Sequence, residues 1–185
     1  MTTHDIVLTA LFAALIVVLG TIPPIPIGII PVPITLQSLG VMLAGALLGP
    51  WRGAMAAVIL IALVAMGLPV LSGGRGGLGV FAGPTVGYLI GFVPAAFVTG
   101  WVVGLLGADR RPPLPAFGAT VLACILGGVV IDHLCGVIGL VAVTGIAWQN
   151  AALGTLAFVP GDLIKAALAG WIAVAIRRVH PIAVH

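Results

Sequence analysis

Charge is almost missing from this chain. Of its 185 residues eleven are Asp, Glu, Lys or Arg, glutamate does not occur at all, and the single lysine is Lys165. A soluble domain carries about 25% charged residues, so the 6% found here excludes a water-exposed fold. It excludes disorder as well, because disorder needs low hydrophobicity and high charge. Without glutamate there is no His-Glu-x-x-His zinc motif. Because Lys165 follows Ile164, there is no Gly-Lys-Ser/Thr phosphate loop either, so the chain has no means of hydrolysing ATP. No Gly-x-Ser-x-Gly elbow is present, and nothing in the sequence argues for an enzyme. Cysteine is scarce. Cys124 and Cys135 fall in one apolar stretch, roughly 16 Å apart on a helix, too far for a disulfide, and they read as small packing residues. With no CxxC motif and no His/Cys cluster, a metal or other bound cofactor has no support.

What the chain does have is hydrophobicity: 62% of its residues, with a mean hydropathy of +1.35. Long unbroken apolar runs, without the alternation of a membrane barrel, predict an all-α integral membrane protein. From Ile6 to Trp51 no residue is charged. That stretch is long enough for two spans of about 20 residues each, and the prolines from Pro23 to Pro33 divide it. The same reasoning along the chain places six transmembrane helices near residues 6–22, 34–49, 53–70, 85–106, 114–143 and 153–176, forming one domain over residues 1–185. The first span lacks a basic leader and a small-residue cleavage site, so it is expected to remain as a helix.

Six spans put both termini and the second-to-third and fourth-to-fifth loops on one side. Those regions hold Arg52, Arg110, Arg111, Arg177 and Arg178, five of the seven basic residues. The positive-inside rule makes that side cytoplasmic. The net charge of +3 therefore reports orientation in a bilayer and does not imply nucleic-acid binding. Arg75, in the glycine-rich outer loop, and Lys165, inside a span, are the exceptions, and function is sought at them.

Asp162 and Lys165 share one helix face about a turn inside the outer end of the sixth span. Charged groups at that depth line cavities or pathways. They also suit a helix start, with Asp162 at the positive dipole end and Lys165 snorkelling outward. With Arg75 they would form three polar arms for a small molecule bearing an N–H donor, a carbonyl and a carboxylate. Thr35 and Gln37 open the second span as caps or cavity residues. Tyr88 is placed for an interface belt or a ligand wall. Asp132 and His133, midway along the fifth span, read as a proton relay, a polar contact between helices, or cavity lining. Ala10 and Ala14 form a small-xxx-small step that permits close helix approach.

Several segments together resemble the BioY family. They are Pro31-Val-Pro-Ile-Thr-Leu-Gln37, the run from Gly40 to Pro50, Gly73-Gly-Arg-Gly-Gly-Leu-Gly79, Gly83-Pro-Thr-Val-Gly-Tyr88 and Pro160-Gly-Asp-Leu-Ile-Lys165. That family supplies the biotin-specific S component of energy-coupling factor (ECF) transporters. The resemblance implies an S-component bundle in a bacterial or archaeal cell membrane, with both termini cytoplasmic and a substrate cavity open to the outside. It implies high-affinity uptake of biotin, with Asp162 taking the ureido N–H groups, Lys165 the ureido oxygen or ring edge, and Arg75 the carboxylate. The bicycle would lie near Tyr88 and the fifth helix. It also implies partners: an EcfT-type transmembrane coupling protein, met through Ala10 and Ala14, and two ABC ATPase subunits. The alternative is a self-sufficient facilitator or proton-coupled biotin carrier acting as a homo-oligomer. In that case Asp132 would matter for uptake. A membrane enzyme or assembly factor is a third reading, and it predicts ligand turnover without accumulation.

Overall fold

The computed structural model describes residues 2–26, 28, 30–108 and 111–179; Arg110, one of the charges used for topology, lies outside the described residues. Helices dominate. They are α1 (Thr3–Gly20), α2 (Gln37–Leu48), α3 (Pro50–Ala65), α4 (Val86–Leu105), α5 (Pro113–Cys124), α6 (Asp132–Thr144), α7 (Trp148–Thr155) and α8 (Val159–Val179). A π-helical stretch, Ile125–Ile131, joins α5 to α6, and a 3₁₀ turn, Leu156–Phe158, joins α7 to α8. Among the described residues, four helical stretches are long and apolar enough to cross a membrane: Thr3–Gly20, Val86–Leu105, Pro113–Thr144 and Trp148–Val179. The other two apolar helices, α2 and α3, are shorter, at 12 and 16 residues.

The short α2 is the centre of the molecule. Every one of its residues is buried, and it packs against α1, α3, α4 and α8. Twelve residues rise only about 18 Å, and the chain reaches α2 through extended backbone rather than the helix expected from Ile34. Pro31 and Pro33 disfavour helix there. Ile34 also exchanges both backbone hydrogen bonds with Ile25 at 2.9 Å, and Thr35 gives its carbonyl to Lys165. Non-helical backbone of this kind is tolerated inside a membrane protein where it lines a cavity. The third helix likewise stops at Ala65, short of the expected Val70, because Gly67 turns the chain at φ +94° ahead of Pro69.

Close helix crossings bring polar residues together at one end. A Cβ at Gly87 would stand 2.9 Å from Cα of Gly139, so α4 and α6 touch through bare backbone. At the opposite end Arg52 bonds Asp5 at 2.8 Å, tying the start of α3 to the start of α1. Arg177 reaches the Ala46 carbonyl, tying the end of α8 to the end of α2. Apolar side chains cover the outside. Ile6, Val7, Leu11, Leu105, Leu114 and Ile164 are each more than half exposed, as are all four tryptophans, Trp51, Trp101, Trp148 and Trp171. Trp51 opens α3 near one end and Trp148 opens α7 near the other, as expected of interfacial anchors.

Candidate functional site

Between the extended segment before α2 and the starts of α4, α6 and α8 lies a cavity of about 630 Å³ counting its open mouth. The residues lining it come from distant parts of the chain. Thr35, Gln37 and Ser38 enter from the α2 side, Arg75 and Thr85 from the loop between α3 and α4, Tyr88 and Phe92 from α4. Asp132 and His133 come from α6, Phe158 from the 3₁₀ turn, and Asp162 and Lys165 from α8.

Asp162 is the hub. It is 5% exposed, and it gathers Lys165 Nζ at 2.8 Å and Ser38 Oγ at 3.3 Å on Oδ1, with His133 Nε2 at 2.9 Å from Oδ2. Lys165 is buried too and does not snorkel outward. Its ammonium donates to Thr35 O at 2.6 Å, Asp162 Oδ1 at 2.8 Å and Ser38 Oγ at 3.0 Å, which uses all three protons. A buried pair persists when both charges are compensated this fully. Lys165 thereby clamps the unwound segment before α2 onto α8.

An aromatic wall adjoins the hub. Tyr88 meets His133 edge-on with centroids 6.2 Å apart and Phe158 at 5.8 Å, while its hydroxyl lies 2.8 Å from Thr155 Oγ1. Gly136 makes this possible, since a Cβ there would overlap the Tyr88 ring. At the mouth, exposed Arg75 donates to Ser72 O at 3.2 Å and Thr85 Oγ1 at 3.3 Å. It is held there by a tight turn in which Leu71 and Arg75 exchange backbone bonds.

The residues singled out in the sequence thus fall into three groups. Asp162, Lys165, Thr35, Tyr88, Arg75 and Gln37 all line the one cavity. Gln37 spends its amide on backbone: Nε2 donates to Ile16 O and Val70 O, and Oε1 accepts from Ser72 N. Its side chain staples α1 to the loop between α3 and α4. Ala10 and Ala14 lie elsewhere, exposed on the outer face of α1 beside Val7, Leu11 and Val18. Asp132 and His133 part company as neighbours on a helix do. His133 turns to Asp162 and Asp132 to Gly91 of α4. Two members of the hub, Ser38 and His133, are not marked for it by the sequence alone. The mid-span polarity of His133 was a signal, but its partner lies 29 positions away in the chain.

Comparison with known proteins agrees with this architecture. The sequence model of the BioY family matches residues 1–182. The chain belongs to the BioY family. Among relatives of this BioY-family chain, the biotin transporter BioY of Rhizobium etli is 50% identical over 182 residues, covering 98% of this chain and 97% of that one. The biotin transporter BioY of Rhodobacter capsulatus is 50% identical over 187 residues, covering 96% and 95%. A crystal structure of the S-component for biotin from an ECF-type ABC transporter superposes with a TM-score of 0.89 at 36% identity, over 96% of this chain and 95% of that one. The fold is therefore the all-helical, six-span membrane bundle of an S component.

Proposed function

We propose that this chain captures biotin from outside the cell and serves as the high-affinity S component of an ECF-type transporter. The observation that carries the reading is the buried hub of Asp162, Lys165, Ser38 and His133 on one side of a cavity walled by Tyr88, Phe92 and Phe158. Biotin has a matching division: a polar ureido ring, an apolar bicycle and a terminal carboxylate. Asp162 accepts a ureido N–H through its less occupied oxygen, Oδ2, and Lys165 fixes Asp162 and shares its field with the ureido oxygen. Tyr88 and Phe158 pack on the bicycle, and Arg75 meets the carboxylate at the mouth. Thr35 and Gln37 shape the cavity from the α2 side. The relatives named above support biotin as the substrate.

Transport then needs a state in which the cavity opens inward. The turn at residues 73–79 folds over the occupied site, and the exposed face of α1 bearing Ala10 and Ala14 docks on an EcfT-type coupling protein with two ATPase subunits. ATP hydrolysed there biases the states of this chain by differential interaction. Both termini face the cytoplasm.

Uptake of labelled biotin in a host lacking its own transporter tests the reading. Accumulation is expected with the coupling protein and active ATPases, and loss of accumulation when the ATPases carry inactive nucleotide sites. Equal accumulation without any coupling module would replace the S-component assignment with a self-sufficient carrier, and Asp132→Asn would then be examined for loss of uptake.

A further inference from the structure

The cavity contains a second carboxyl to which the reading above gives no task. Asp132 opens α6 directly after the π-helical stretch, is 5% exposed and lines the cavity, yet no hydrogen bond from the described residues reaches its carboxyl. Asp162, in the same cavity, has three donors.

We infer that Asp132 is a substrate-contacting residue that accepts one N–H of the ureido ring, opposite the N–H taken by Asp162. This rests on the biotin reading and sharpens it. A carboxylate offers about four lone-pair sites. Asp162 has filled two on Oδ1 with Lys165 and Ser38 and one on Oδ2 with His133, so one remains. The two N–H bonds of a cyclic urea diverge on either side of the carbonyl, and one remaining site does not serve both. Most other polar side chains of the cavity are already committed. Gln37 is bonded to backbone, Tyr88 to Thr155, and Thr85 to Arg75.

The backbone facing Asp132 is shaped for it. A Cβ at Gly91 would stand 2.7 Å from Asp132 Oδ1, so α4 is bare where the carboxyl sits. A buried acceptor without a donor is costly, and such a group is tolerated where a ligand brings the donor. A carboxyl keeps an acceptor oxygen whether or not it carries a proton, so the contact does not depend on its charge.

The test compares biotin with its two cyclic carbamates, in each of which one ring N–H is replaced by oxygen. Binding to the purified chain in detergent is measured for the wild type and for Asp132→Leu, which keeps a branched shape without an acceptor, with a thermal melt of each. The wild type is expected to reject both carbamates, one through Asp162 and the other through Asp132. Asp132→Leu is expected to bind biotin about ten- to hundred-fold more weakly, because a buried ureido N–H is left without an acceptor. It is also expected to bind one carbamate about as well as biotin while still rejecting the other. If Asp132→Leu does not fold, Asp132→Asn carries the comparison, and its amide, able to present N–H, lowers the penalty on that carbamate at least tenfold. Unchanged discrimination in a folded variant would overturn the assignment, as would a wild type that tolerates either carbamate. A wild type that binds no biotin would fail the biotin reading itself, a distinguishable result.

Discussion

Replacing Lys165 by methionine keeps an unbranched side chain as far as Cε and removes the ammonium. In the structure that ammonium makes three hydrogen bonds, to Thr35 O, Ser38 Oγ and Asp162 Oδ1. Asp162 would be left buried with only Ser38 and His133, and the segment before α2 would lose its tie to α8. Breaking one half of a buried ion pair costs about 3–5 kcal/mol. At about 2–4 °C per kcal/mol for a chain of this length, the melting temperature in detergent should fall by roughly 6–20 °C. The double variant Asp162→Asn with Lys165→Met removes both charges. Stability should then recover most of the loss, because a buried pair exchanged for uncharged groups is often neutral or better. Biotin binding should not recover, since the acceptor for the ureido N–H has changed. Thermal melts and biotin binding on Asp162→Asn, Lys165→Met, the double variant and the wild type complete the cycle. If Lys165→Met melts with the wild type, the clamp is wrong. If the double variant regains biotin binding along with stability, Asp162 and Lys165 are structural only.

Other outcomes follow from the same geometry. Gly136→Val puts a side chain where the Tyr88 ring lies, so biotin binding should weaken at least tenfold while α1 and α3 remain folded, read by binding and by circular dichroism. Arg75→Gln should weaken biotin several-fold and leave biotin amide unaffected, because in the proposed site the guanidinium meets only the carboxylate; equal losses for both ligands would refute that contact. Ala10→Trp with Ala14→Trp should leave binding in detergent unchanged, since both residues are exposed on α1 away from the cavity, and abolish ATP-driven uptake. Retained uptake would move the docking face elsewhere.

Much of the architecture is legible in the sequence because a bilayer demands long apolar runs and allows charge in few places. Arg75 and Lys165 stood apart from the other basic residues, and both line the cavity. The central, unwound approach to α2 was harder to read. Prolines mark where helix is disfavoured, but that Thr35 gives its carbonyl to Lys165 depends on a contact spanning 130 positions. The hub is illegible for the same reason. Ser38 is an ordinary serine in the sequence, and His133 belongs with Asp162 rather than with its neighbour Asp132. The π-helical stretch Ile125–Ile131 is also invisible to a helical period of 3.6 residues.

In the proposed function the isolated chain binds biotin in the cavity around Asp162. Equilibrium binding of labelled biotin to purified wild-type protein in detergent, alongside Asp162→Ala, tests it most directly. The wild type should bind one biotin per chain saturably, and the variant should lose that binding. A folded, monodisperse wild type that binds no biotin, or an Asp162→Ala variant that binds as tightly, would contradict it.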